Sequence, residues 1–142
     1  MQSIQDRLQT AASFPDLLAA SFDAFEAIRQ EASRWVDGVP ELFAAFMTTA
    51  DAAVDGREAV TAAPSLPCGP ADPQFSLLPA NATLNEATGT LADLGTFLGR
   101  CLTRAATTAN NPEDRAACQK AADAARRVHH LMTCGDNASG LR

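Results

Sequence analysis

The chain has 142 residues, with 11 Lys+Arg against 17 Asp+Glu and a formal net charge of -6. That length suits one domain with an ordinary core, and the acidity argues against nucleic acid or an anionic membrane as the main partner. About thirty alanines, no tyrosine and an aromatic content of 6% exclude a β-sandwich and favour closely packed helices. No stretch approaches the roughly 20 apolar residues of a membrane-spanning helix.

The opening MQSIQDRLQT has no basic segment followed by an apolar run, so no signal peptide is expected. A first helix is predicted from about Pro15, because Leu18, Phe22, Phe25, Ala32 and Trp35 recur at three- and four-residue steps. Asp23, Glu26, Arg29 and Glu31 fall mostly off that stripe and read as a solvated face. Asp37-Gly38-Val39-Pro40 interrupts it, Gly38 being free to leave the helical basin and Pro40 suited to a first helical position. A second stripe follows in Leu42, Phe43, Phe46, Ala50, Ala53 and Val54, so residues 14–63 read as a helical hairpin. Residues 64–80 carry Pro64, Pro67, Pro70, Pro73 and Pro79, which forbids a regular helix and makes them a connection.

Residues 83–134 read as a second hairpin. Thr83 and Glu86 have the spacing of a capping box, and Leu84, Ala87, Leu91, Leu94, Leu98, Cys101 and Ala105 form the following stripe. Asn111 is placed to cap the next helix, with Pro112 in its first turn and Glu113 and Asp114 at its positive dipole end. Gly135 is read as its left-handed stop, leaving 135–142 as a tail. The expected fold is therefore all-α: a single-domain four-helix bundle of two hairpins joined by a Pro-rich crossover. The charge is uneven. Residues 1–63 hold ten acids and four arginines, whereas the remainder balances.

The four cysteines form an even, pairable set. Folding the second hairpin about Asn110 sets Cys101 opposite Cys118, near the α-carbon separation of a disulfide. Cys118 and Cys134 lie on one helix about 24 Å apart and cannot bond. The pairing left is Cys101–Cys118 with Cys68–Cys134, two staples that would suit an oxidising compartment.

Catalytic patterns are sparse. His129 and His130 adjoin each other, and no serine or cysteine nucleophile has an oriented base at recognisable spacing, so no enzyme is expected. His130 and Cys134 share a helix face and are weak metal-ligand candidates. No metal or other cofactor is expected. Gly95 and Gly99 mark either close helix approach or room for an apolar ligand. Phe22, Phe25, Phe43 and Phe46 with Trp35 are candidates for core or for a contact face.

The first sixty residues, helix then Trp35-Val36-Asp37-Gly38 then helix, resemble the WXG100 proteins secreted without a leader through type VII systems. The spacing here is Trp-x-x-Gly in place of Trp-x-Gly, and a chain without tyrosine lacks their Tyr-x-x-x-Asp/Glu export signal. The resemblance covers under half of the chain and implies a helical hairpin that leaves the cell without a leader. From the residues themselves, the expected function is a non-enzymatic, extracytoplasmic bundle that binds a protein partner or assembles with itself. Its location would be secreted, periplasmic or cell-envelope, but cytoplasmic if the thiols are free. Two alternatives remain: a carrier holding a lipid or other apolar small molecule between helices, and a phasin-like protein coating granules through its phenylalanines.

Overall fold

The computed structural model describes residues 4–11, 13–66 and 77–140, with 134–140 described by backbone alone. The described residues form helices and no strand: α1 (Ile4–Thr10), α2 (Phe14–Trp35), α3 (Phe43–Thr61), α4 (Leu84–Thr108) and α5 (Pro112–Gly140), with a 3-10 turn over Pro40–Leu42 before α3. No helix among them is long and apolar enough to cross a membrane.

Local signals set most boundaries. Ser13 caps α2 by accepting from the Asp16 amide at 3.2 Å. The capping box of α4 is complete: Thr83 Oγ1 accepts from the Glu86 amide at 3.2 Å, and Glu86 accepts from the Thr83 amide at 2.9 Å. Asn111 accepts from the Glu113 amide at 2.8 Å at the head of α5.

The interruption at Asp37–Pro40 falls where expected, α2 ending at Trp35 and Pro40 opening the 3-10 turn, and Gly38 turns the chain without a positive φ. Two other boundaries differ from expectation. Gly135 does not stop α5, which continues to Gly140. A glycine costs a helix only about 1 kcal/mol and ends one only where the backbone turns away. Helix α1 was not foreseen. Seven residues cannot sustain a helix alone, and α1 is held by tertiary contacts: Leu8 is buried and Arg7 pairs with Asp23 of α2 at 2.6 Å.

The four longer helices pack as a bundle around one shared core. Trp35 stacks on Phe46 with ring centroids 6.3 Å apart, and Phe25 meets Gly56, so α2 and α3 run antiparallel. Gly95 abuts Val128 and the His129 amide, whereas Gly99, one turn later, abuts Ala122 and Ala125, so α4 and α5 are antiparallel as well. Helix α5 also packs antiparallel on α3, through Arg127–Asp55 at 3.1 Å and through Asp114 near the end of α3. Buried Asp114 accepts from the Ser65 hydroxyl at 2.6 Å and from its amide at 3.1 Å, tying the start of the connection to the first turn of α5. It follows that α3 and α4 are parallel, on a diagonal of the bundle. A long connection between them is therefore required, as the prolines implied.

The disulfide expectation is corrected where it can be seen. Cys101 and Cys118 are both free. Gly95 and Gly99 face α5, and Cys101 lies two residues beyond Gly99, about 200° around the helix. Its thiol is thus turned from α5 towards a groove shared with Leu8, Phe14 and Leu17, while Cys118 is fully buried in the core. The facing pairs, such as Gly95 with Val128 and Gly99 with Ala122 and Ala125, also shift the register from the one expected, so the two cysteines are matched neither in level nor in rotation. Cys68 and the side chain of Cys134 lie outside the described residues. Alkylation of the denatured, unreduced protein is therefore expected to label both Cys101 and Cys118. Recovery of a Cys101–Cys118 cross-linked peptide by mass spectrometry would overturn this.

Two glycines show where packing is tightest. A Cβ on Gly56 would lie 2.3 Å from the ring of Phe25, which is fully buried and has nowhere to move. A Cβ on Gly89 would meet nothing within 4 Å. Gly56→Ala should therefore destabilise by about 1–3 kcal/mol through overpacking, in spite of alanine's better helix propensity. Gly89→Ala should stabilise by up to about 1 kcal/mol. Urea unfolding midpoints test the pair, and a stabilised Gly56→Ala would show that Phe25 is not seated there.

Candidate functional site

The aromatic candidates separate by position. Phe25 and Phe46 are completely buried and belong to the core; Phe22 and Trp35 are half-buried. Phe43 is 46% exposed, and Met47, one turn later on α3, is 43% exposed. Met47 was missed in the sequence, although its four-residue spacing from Phe43 was legible. The same helical ridge continues into Asp51, Val54, Asp55 and Glu58, of which the three acids are exposed. The outer face of α3 is therefore apolar in its first turns and acidic in its last.

The acids of α2 behave differently from the expected solvated face. Glu26 takes two bonds from Arg29 (2.6 and 3.0 Å), one from Gln30 (3.1 Å) and one from Arg57 of α3 (2.6 Å). Glu31 is buried, accepts from Trp35 Nε1 at 2.9 Å and pairs with Arg34 at 3.3 Å. These carboxylates hold the first hairpin together. The acids left facing solvent include Asp16 at the start of α2, Asp37 and Glu41 at the turn, and Asp51 and Glu58 on α3, with Asp55 also exposed but paired with Arg127. Asp51 and Glu58 enter no ion pair among the described residues.

On the second hairpin, the outer seam of α4 and α5 forms a groove of about 580 Å³ lined by Gly99, Arg100, Thr103, Arg104, Arg126 and His129. Gly95 and Gly99, read together in the sequence, have different roles. A Cβ on Gly95 would lie 2.9 Å from Ala125 O, so the α5 backbone fills that space. A Cβ on Gly99 would make only ordinary contacts, 3.5 Å from Arg126 Cγ. Within α4 Thr96 donates to Ala92 O at 3.1 Å, and across the seam His129 Nδ1 of α5 lies 2.7 Å from the Thr96 hydroxyl and 3.1 Å from Ala92 O.

Neither free cysteine is poised for reaction. Burial pushes the Cys118 thiol up to about 11, with Asp114 adding to the rise, and burial also raises that of Cys101, partly offset by Arg104. His130 is exposed, and no group of three or more potential metal ligands occurs among the described residues. The arrangement offers surfaces for binding: an apolar-to-acidic ridge on α3 and a basic groove on α4–α5.

No protein-family model, curated protein or solved structure matches this chain.

Arg29 foremost, with Gln30 and Arg57, holds the Glu26 carboxyl down from 4.5 to about 2, against the opposing effect of burial. Because the folded value lies below the ordinary one, this stabilisation is complete above about pH 4.5 and is lost as pH falls towards 2. Glu26→Gln should therefore cost about 1.5–3 kcal/mol at pH 7. Its deficit relative to wild type should shrink between pH 4.5 and 2. Urea midpoints measured across that range check both statements, and a deficit independent of pH would contradict the assignment.

Proposed function

We propose that this protein is a non-enzymatic binding module that uses the outer face of α3 to engage a basic amphipathic segment of another protein. The observation that carries this reading is the exposed Phe43–Met47 pair continued by Asp51, Asp55 and Glu58 along one ridge. An apolar anchor flanked by charge of one sign suits a helix with apolar residues at its matching turns and Lys or Arg beyond them. The charge distribution supports the choice, because Asp23, Glu26 and Glu31 of α2 are held in internal bridges whereas Asp51 and Glu58 of α3 are exposed and enter no ion pair among the described residues. The extracytoplasmic placement drew on paired cysteines, and with Cys101 and Cys118 free the reading is one of surface chemistry in either compartment.

The alternatives draw less from the fold. A carrier with its ligand between the helices at the glycines would need α4 and α5 to part, since the α5 backbone occupies the space at Gly95. A phasin-like coat would need its phenylalanines outside, and Phe25 and Phe46 are inside. Self-assembly would place a second copy on the ridge.

A photo-crosslinking residue at position 47, with a second at exposed Gln119 on α5 as control, tests the proposal in the producing cells. Adducts at position 47 should concentrate on one partner through a peptide rich in Lys or Arg, and should fall at least tenfold with Phe43→Ser or Asp51→Lys. Equal capture at both positions, or adducts to a second copy of this chain, would sink it.

A further inference from the structure

The α4–α5 groove lies on a different hairpin from the α3 ridge and has different chemistry. Arg100 and Arg104, one turn apart on α4, are exposed and enter no ion pair among the described residues. Arg126 faces them from α5, held by Asp123 and by a 3.1 Å bond to the Thr103 hydroxyl. Three guanidinium groups thus line one groove on a chain whose net charge is -6. Between them the groove surface is mainly apolar. Gly99 leaves it open, the stem of Arg126 lies over that glycine, and the hydroxyls of Thr96 and Thr107 are occupied by backbone carbonyls. That carbon surface comes from the threonine methyls and the arginine stems, and the groove's size of about 580 Å³ is within the usual range for a small-molecule site.

We propose that this groove binds a single-chain anionic amphiphile. A carboxylate or phosphate head would lie between Arg100, Arg104 and Arg126, where guanidinium forks can bond it in pairs, and the alkyl body would run over Gly99 and the threonines. The seam is prepared for this. The His129–Thr96 and Arg126–Thr103 bonds fix α5 against α4, and Arg100 and Arg104 have no internal partner to give up. A body without charge would leave the arginines unused. A small inorganic anion would leave the apolar floor uncovered.

The test is a titration of the full-length, nitrogen-15-labelled protein, followed by amide chemical shifts. Decanoate and decyl phosphate, both below micelle-forming concentration, should saturably shift the amides of Gly99, Thr103 and Arg104. The double variant Arg100→Gln/Arg104→Gln should weaken that binding by about tenfold or more while leaving the melting temperature unchanged, because both side chains are exposed. Phe43→Ser should leave it unaffected, which separates this site from the α3 ridge. Any of four results would overturn the proposal: no saturable shift at the groove, equal binding of decyltrimethylammonium, equal binding of inorganic phosphate alone, or indifference to the double substitution. Binding confined to phosphatidylglycerol vesicles would equally refute it, as the mark of a charged membrane surface and not of a groove.

Discussion

The close approach of α5 to two neighbours at once is the constraint on which the rest of the molecule depends. Helix α5 lies against α4 on one side and α3 on the other, and so joins the two hairpins. Most of its buried positions are therefore small, Ala117, Ala121, Ala122, Ala124 and Ala125 with Cys118 and Val128 among them, and Met132 is the one large buried side chain among its described residues. Gly95 completes the arrangement by allowing the α5 backbone to within van der Waals range of α4. Such a seam gains little area per side chain and relies on close contacts between backbones, which a methyl group added at Gly95 would disturb. The bulk that it lacks is supplied between α2 and α3, where Phe25, Phe46, Leu18 and Ile28 fill the interior. Gly56 is the counterpart of Gly95 in that second seam, a hole shaped for a ring instead of a backbone.

Charge is divided along the same lines. On α2 three carboxylates are held in bridges, Asp23 to Arg7, Glu26 to Arg29 and Arg57, and Glu31 to Arg34 and Trp35, while Asp16 is exposed. On α3 the acids are exposed, Asp55 alone of them meeting a cation, Arg127 of α5, among the described residues. The second hairpin is neutral in sum, yet three of its arginines line one groove. A molecule with a mean charge of one sign therefore presents two surfaces of opposite sign on different helices. Net charge alone described neither surface, because pairing inside the fold removes some charges from view and geometry collects others.

The cysteines show how much rests on register and on rotation about a helix axis. Counting residues about the turn sets Cys101 level with Cys118, and the packed register shifts them from that level. Whether two side chains meet across the seam depends also on the azimuth of each helix, which changes by 100° per residue. The stripe through Leu98, Cys101 and Ala105 does not face α5. That role falls to the glycines, because the small residues permit the closest approach.

By itself, the sequence determined the four long helices, whereas the short α1 depends on its tertiary contacts. Apolar periodicity, the Ser13, Thr83 and Asn111 caps and the prolines after α3 are local signals, and each acts through backbone geometry or hydrogen bonding within a few residues. It determined too that long helices would pack through alanine and glycine, since that composition leaves no other means of filling a core. Only the tertiary structure decided which faces of those helices meet. It turned Glu26 and Glu31 inward, left Phe43 and Met47 outside, sent Cys101 and Cys118 to different surroundings and gathered Arg100, Arg104 and Arg126 along one seam. Periodicity gives each helix an apolar side. The rotation and register that make surfaces and sites come from packing all of those sides together at once.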